Sequence, residues 1–236
     1  MAPLNWLRWQ ALGRSALLGV LGLSTACGSP SVGELEESEV SLTVTAVASA
    51  PDVAAVGDAQ GGLGVSRAFV SASAITLVPC LADAGSVPLG ARGYELLTQP
   101  PASERVTTAV SKLCGIQLDI DAVDATTSPD LDQGTTLYVE AQDPDGAPIT
   151  LKSERAHALL LEAEQGESFG EQPLLLGVDV SLWLAGLPLP ENMSDEQAAQ
   201  FDAQLDDAVA LYVDSNGNQA LDDDEQTPVA HARTAR

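Results

Sequence analysis

The sequence predicts a mainly β protein, an antiparallel β-sandwich that ends in a C-terminal helix and a calcium-type loop. Three observations carry that expectation. "GIQLDIDAV" alternates, with Ile116, Leu118 and Ile120 on one face and Gln117, Asp119 and Asp121 on the other, the period of a half-buried strand. Similar short apolar stretches follow one another between Val65 and Leu184 with no helical pattern between them, which favours packed antiparallel sheets over alternating β and α units. Near the C-terminus, "DSNGNQALDDDE" places five carboxylates and two asparagines within twelve positions, 214 to 225.

The elements follow in chain order. Residues 1–26 read as a signal peptide: Arg8 and Arg14 precede an apolar run from Ala16 to Leu23, and small residues close the segment. The run is shorter than the roughly 20 apolar residues that span a bilayer. "LSTAC" sets Leu23 and Ala26 before Cys27 and resembles the lipobox of bacterial lipoproteins, with Ser24 where leucine is commoner. On that reading Cys27 bears lipid and membrane contact runs through the anchor, each buried CH₂ adding about 0.8 kcal/mol. The alternative is ordinary cleavage after Ala26, which leaves a free thiol. Residues 27–64 then form the lipidated cysteine and a flexible tether, on the composition of "SPSVGELEESEV" and "GDAQGGLG". The glycines there lack the Lys-Ser or Lys-Thr of a phosphate-binding loop.

Residues 65–190 are the β domain. Strand candidates beside "GIQLDIDAV" are "SLTVTAVAS", which falls in the tether segment, and "RAFVSASAITLVPC", "YELL", "HALLLEAE" and "PLLLGVDVSLWLAG". "TLYVEAQDPDGAPITLKSE" reads as a hairpin turning on Pro144, Asp145 and Gly146. Residues 191–236 supply the helix, the loop and a tail. Ser194 with Gln197 three positions on is a capping-box pattern, and Phe201, Leu205, Ala208 and Tyr212 recur at helical spacing. "VALYVD" at the end of that stretch also suits a strand.

Loop positions 1, 3, 5, 7, 9 and 12 of the EF-hand pattern fall on Asp214, Asn216, Asn218, Ala220 through its carbonyl, Asp222 and Glu225, with Leu221 at the aliphatic eighth position. Two features depart from that pattern. Gln219 stands at the sixth position where glycine is usual, with Gly217 at the fourth, and "QTPVAHARTAR" does not promise an exiting helix. The expected ligand is Ca²⁺ at a structural site of modest affinity, roughly 10⁻⁴ to 10⁻³ M. A solvated acidic tail is the alternative.

Removing residues 1–26, which carry two arginines and no acid, takes the formal net charge from −24 to −26. That field repels nucleic acid and attracts cations or basic partners, so no nucleic-acid partner is expected. With Cys27 assigned to lipid, Cys80 and Cys114 remain, an even pair in an exported chain that suggests a disulfide, two buried thiols being the alternative.

"AITLVPC", "YELLTQP", "CGIQLDIDAV" and "LLLGVDVSLWL" resemble uncharacterised lipoproteins of Gram-negative bacteria over residues 65–190. The resemblance implies an exported β-sandwich behind a lipid anchor, in the cell envelope at the outer membrane, with Cys80 and Cys114 stapling neighbouring strands. It implies no activity.

A non-enzymatic binding or structural protein is therefore expected. Two other readings have residues to rest on. "GESFG" matches a nucleophile elbow at Ser168, with His231 downstream; yet Pro173 follows within five residues, His157 opens a strand, and His231 sits in a segment expected to fray. A carbohydrate-binding module would need Trp183, or Tyr94, Tyr138 and Tyr212, exposed on one face, whereas Trp183 in "VSLWLAGL" reads as core.

Overall fold

A computed structural model describes residues 38–47, 58–59, 63–81, 86–108, 112–122, 130–143, 145–163, 168–169, 172–187 and 194–235. The signal segment and Cys27 lie outside these residues. The described chain is mainly β, one curled sheet with two helices.

The strands are β1 (Ser38–Val47), β2 (Asp58–Ala59), β3 (Leu63–Pro79), β4 (Val87–Leu89), β5 (Arg92–Glu95), β6 (Ala102–Thr108) and β7 (Leu113–Ile120). They continue with β8 (Leu137–Gln142), β9 (Pro148–Ser153), β10 (His157–Glu162) and β11 (Leu174–Asp179). Helices α1 (Val180–Trp183) and α2 (Asp195–Ala208) come next, then β12 (Val209–Val213) and β13 (Ala230–Thr234). Across the sheet the order is β6-β1-β11-β12-β13-β10-β7-β3-β8-β9, with β2, β4 and β5 paired to β3.

The alternation in β7 does what its period requires: Ile116, Leu118 and Ile120 are buried, and Gln117 and Asp119 between them are partly exposed. β3 is long enough to serve two partners, pairing through its first half with β8 and its second with β7. Register shifts between Val65 and Arg67 and between Ala72 and Ala74 let so long a strand bend. β8 and β9 form the expected hairpin, with Gly146 at φ +85°. Cys80 and Cys114 form a disulfide just beyond the Pro79–Leu113 pair of β3 and β7, their Cα atoms 4.7 Å apart.

Four expectations are corrected. The tether does not run to residue 64: Ser38–Val47 is a strand inside the sheet, because Val40, Leu42, Val44 and Ala46 share one buried face. The pairing is not wholly antiparallel, since β1 and β11 run parallel. β11 is buried along its whole length, the near-continuous apolar character of a strand covered on both faces. "PLLLGVDVSLWLAG" is not one strand: Asp179 ends β11 and caps α1, its carboxylate accepting from the N–H groups of Ser181 and Leu182, both at 3.0 Å. Finally, the segment around His231 does not fray. It forms β13, which pairs with β12 on one side and β10 on the other.

α2 begins with the capping box, Ser194 Oγ accepting from Gln197 N–H and Gln197 Oε1 accepting from Ser194 N–H. Phe201, Leu205 and Ala208 are buried on its inner face. Trp183 stacks on Phe201 at 4.8 Å between ring centroids, and its indole N–H donates to the Phe201 carbonyl at 3.0 Å. The stretch set apart as 191–236 thus gives the sheet two of its strands, and one core draws on β1, β3, β7, β8, β10, β11 and α2 together.

Candidate metal centre in the β12–β13 loop

β12 delivers the chain to the loop at a fixed point. Asp214 N–H donates to the Pro173 carbonyl at 2.9 Å, which continues the sheet one residue past β12. The Asp214 side chain turns inward and is 2% exposed. Its Oδ1 accepts from Asn218 N–H at 3.1 Å and its Oδ2 from Gln219 N–H at 2.9 Å, so one carboxylate draws the loop back over itself.

The next two potential ligands repeat this device on a smaller scale. Asn216 Oδ1 accepts from Asn218 N–H at 2.9 Å, and Asn218 Oδ1 accepts from Ala220 N–H at 2.8 Å. Short polar side chains bond the backbone two residues on in this way in Asx turns. Their amide groups, Asn216 Nδ2 at 2.6 Å and Asn218 Nδ2 at 2.8 Å, both donate to Asp222 Oδ2.

Glu225 closes the loop. It is 7% exposed, and its Oε1 accepts from both the N–H and the hydroxyl of Ser215, at 2.7 and 2.5 Å. The Ser215 hydroxyl, with backbone N–H groups of Ser215, Asp222 and Asn216, holds the Glu225 carboxyl below the usual range against the opposing effect of burial. Position twelve is therefore tied to position two. Leu221 packs against an outer apolar cluster of Val47, Leu175, Ala210 and Tyr212, which pins the loop to the back of β11 and β12.

Gln219 has φ +66° and is the non-glycine residue with positive φ among the described residues, while Gly217 has φ +71°. The sixth loop position thus adopts the conformation that favours glycine there, at a cost of roughly 1 kcal/mol for a side chain.

The structure brings Asp214, Asn216, Asn218, Asp222 and Glu225 into one hydrogen-bonded loop. Ala220 joins it through its N–H. Among the described residues no three His, Cys, Asp or Glu side chains form a group that could hold a metal ion. The amide donors of Asn216 and Asn218 satisfy Asp222 instead. An ionised carboxylate has about four lone-pair sites, so Asp214 and Glu225 keep acceptor capacity beyond the N–H and O–H groups they already hold.

The other singled-out residues are also placed. Ser168 is exposed and precedes Phe169, which bridges to Leu113; the next regular element is strand β11, not a helix. Trp183, Tyr94 and Tyr212 are buried, so they form no exposed aromatic platform. Sequence reading missed an open cleft lined by His157 together with Asp202 and Asp206 of α2. The signal was the spacing of Ala199, Asp202, Ala203 and Asp206, a small and acidic stripe on the helix face beside the apolar one.

No protein-family model matches the chain, and no curated protein matches it. Among solved structures, MbnP from Methylosinus trichosporium is a distant neighbour, at 11% sequence identity over 85% of this chain and 99% of that chain, with a TM-score of 0.44. A likeness at that level carries no argument about function.

Proposed function

We propose that the protein is a lipid-anchored, non-enzymatic component of the bacterial cell envelope, held at the outer membrane through Cys27, whose C-terminal loop binds Ca²⁺ in a structural role. One observation carries the calcium reading: Gln219 takes positive φ at the loop position where the calcium pattern places glycine. That the two end ligands, Asp214 and Glu225, are both turned inward and buried supports it. The donors are hard oxygens, the class Ca²⁺ takes, and a divalent ion would offset the mutual repulsion of Asp222, Asp223, Asp224 and Glu225. Asp214 and Glu225 would supply carboxylate oxygens at the two ends of the loop, and Asn216, Asn218, Ala220 and Asp222 the remainder.

The anchoring reading rests on the "LSTAC" sequence before Gly28. Among the described residues no helix is long and apolar enough to cross a membrane. We read the two halves of the curled sheet, β6-β1-β11-β12 and β10-β7-β3-β8-β9, as facing layers of a sandwich with β13 at the turn between them. The shared core supports that reading.

Calorimetric titration of Ca²⁺ into residues 28–236, beside the double variant Asp214→Ala/Glu225→Ala, tests the calcium site. Saturable one-site heat in the parent and none in the variant is expected. Equal, weak and salt-screened heat in both would return the loop to an acidic turn. For the anchor, metabolic labelling with a tritiated fatty acid is expected to mark the parent and not Cys27→Ser.

A further inference from the structure

In the β12–β13 loop an asparagine is followed directly by a glycine, Asn216 by Gly217. Asparagine is among the thermolabile residues, and the chemistry open to this pair is intramolecular. The Gly217 backbone nitrogen gives up its proton to solvent and attacks Cγ of Asn216. A new N–Cγ bond closes a five-membered imide, the Cγ–Nδ2 bond breaks, and Nδ2 takes up a proton and leaves as ammonia. Water then opens the imide at one carbonyl or the other, to aspartate or to isoaspartate. No redox partner or cofactor enters.

Access favours the reaction. Both residues are exposed, so base and water reach them. Gly217 has φ +71°, and a Cβ built on it would meet nothing within 4 Å. Neither a side chain nor a neighbour therefore crowds the nucleophile.

The hydrogen bonds of the closed loop oppose it. Gly217 N–H donates to the Asp214 carbonyl at 3.3 Å, which retains the proton that the nucleophile has to lose. Asn216 Oδ1 accepts from Asn218 N–H at 2.9 Å, and Nδ2, the leaving group, donates to Asp222 Oδ2 at 2.6 Å. The first of these contacts is long, whereas the bond to Asp222 is short and charge-assisted, which makes it the strongest of the three restraints. An attack of this kind depends on close and aligned reacting atoms, and Asp222 holds the Asn216 side chain to the far side of the loop instead.

The product cannot restore the closed form. After hydrolysis a carboxylate stands where the Nδ2 donor stood, and it meets Asp222 with like charge. Isoaspartate also adds a methylene to the main chain between Asp214 and Asn218, whose side chain and N–H are bonded at 3.1 Å.

We propose that Asn216 is a site of spontaneous deamidation gated by Asp222: the closed loop protects it, and release of Asp222 commits the loop irreversibly to a more acidic, open form. The gate is built from the loop's own hydrogen bonds and does not rest on the calcium reading.

Full-length protein in mild detergent is incubated at mildly alkaline pH with a chelator, so that no divalent ion holds the loop. Site-resolved mass spectrometry follows the gain of one mass unit at Asn216, and enzymatic methylation detects isoaspartate. Asp222→Ala is expected to deamidate at Asn216 about tenfold faster than the parent, the worth of one hydrogen bond to a charged group. The parent in denaturant should react at least as fast. Asn218 loses the same partner in that variant but precedes Gln219, so it should lag far behind and serves as the internal control. Asp222→Asn keeps the shape with a weaker, neutral acceptor; it is expected to fall between the two and gives a second reading if Asp222→Ala does not fold. A folded parent that deamidates as fast as the unfolded chain, equal rates in the parent and both variants, or no reaction at Asn216 in denaturant would each overturn the proposal.

Discussion

Removing the Cys80–Cys114 bridge should cost a large and calculable part of the stability. The bridge closes a loop with a sequence separation of 34. In the chain-entropy model that loop lowers unfolded-state entropy by about 12.6 cal/mol/K, or about 3.8 kcal/mol at 25 °C. The folded side adds little correction, because β3 and β7 remain paired from Ala72 to Pro79 without the bridge. Both cysteines are only partly buried, so Cys80→Ser/Cys114→Ser should introduce little desolvation cost. The assay is guanidinium unfolding followed by circular dichroism, parent against double variant. With an m-value of about 4 kcal/mol/M, the midpoint should fall by roughly 0.9 M. Dithiothreitol should lower the parent to the variant's midpoint and leave the variant unchanged. A shift below roughly 0.25 M, equivalent to about 1 kcal/mol at that slope, would refute the reasoning and show that the unfolded chain already holds these segments together.

Three other outcomes follow from the packing and the charges. Gly177→Ala should destabilise by about 1–3 kcal/mol, since a Cβ there would lie 2.8 Å from both Val47 methyls and 2.9 Å from Tyr212 Cε2; thermal unfolding beside Gly64→Ala, where the added carbon meets nothing within 4 Å, isolates the clash. Gln219→Val should cost roughly 1–2 kcal/mol and Gln219→Gly close to nothing, because φ +66° strains a β-branched residue most and a glycine least; equal stabilities would refute that ranking. Burial raises the Asp202 carboxyl pKa, with Ser153, His157 and Arg155 pulling it back. Its folded value then lies above its unfolded one, the folded state keeps the proton longer, and stability should decline as pH rises from the ordinary carboxylate range through the raised value. Asp202→Asn should flatten that part of a stability-against-pH curve.

Much of the β pattern was legible because burial on one face writes a period of two into the chain. β7 and the β8–β9 hairpin are such cases, and the Ser194–Gln197 box marks the start of α2 within one residue. What was not legible depended on contacts distant in sequence. β1 and β11 are neighbours across more than a hundred residues, and their parallel pairing leaves no local signature. β6, "ASERVTT", has little apolar character and holds its place by pairing with β1. "AHART" is a strand because β10 and β12 both offer it partners, although its own composition suggests a loose tail. In the loop, the residue types gave the ligand pattern, but not the turning of the two asparagine amides onto Asp222.

The two clusters of acids differ in a way that composition hides. Asp214 and Glu225 are buried, yet N–H and O–H groups of their own loop already meet them. For Glu225 the Ser215 hydroxyl and the backbone N–H groups favour the ionised form against burial. Asp202 is buried to a similar degree, and its partners come from another part of the chain: Arg155 lies 3.3 Å away in an ion pair, and Ser153 and His157 act with it against the effect of burial. A carboxylate of the first kind loses little without a ligand and can be organised in advance for a metal ion. One of the second kind depends on partners from the β9–β10 region, and burial outweighs them, so its pKa is raised. The same residue chemistry, in one acidic C-terminal segment, therefore ionises readily at Glu225 in the β12–β13 loop and reluctantly at Asp202 on α2.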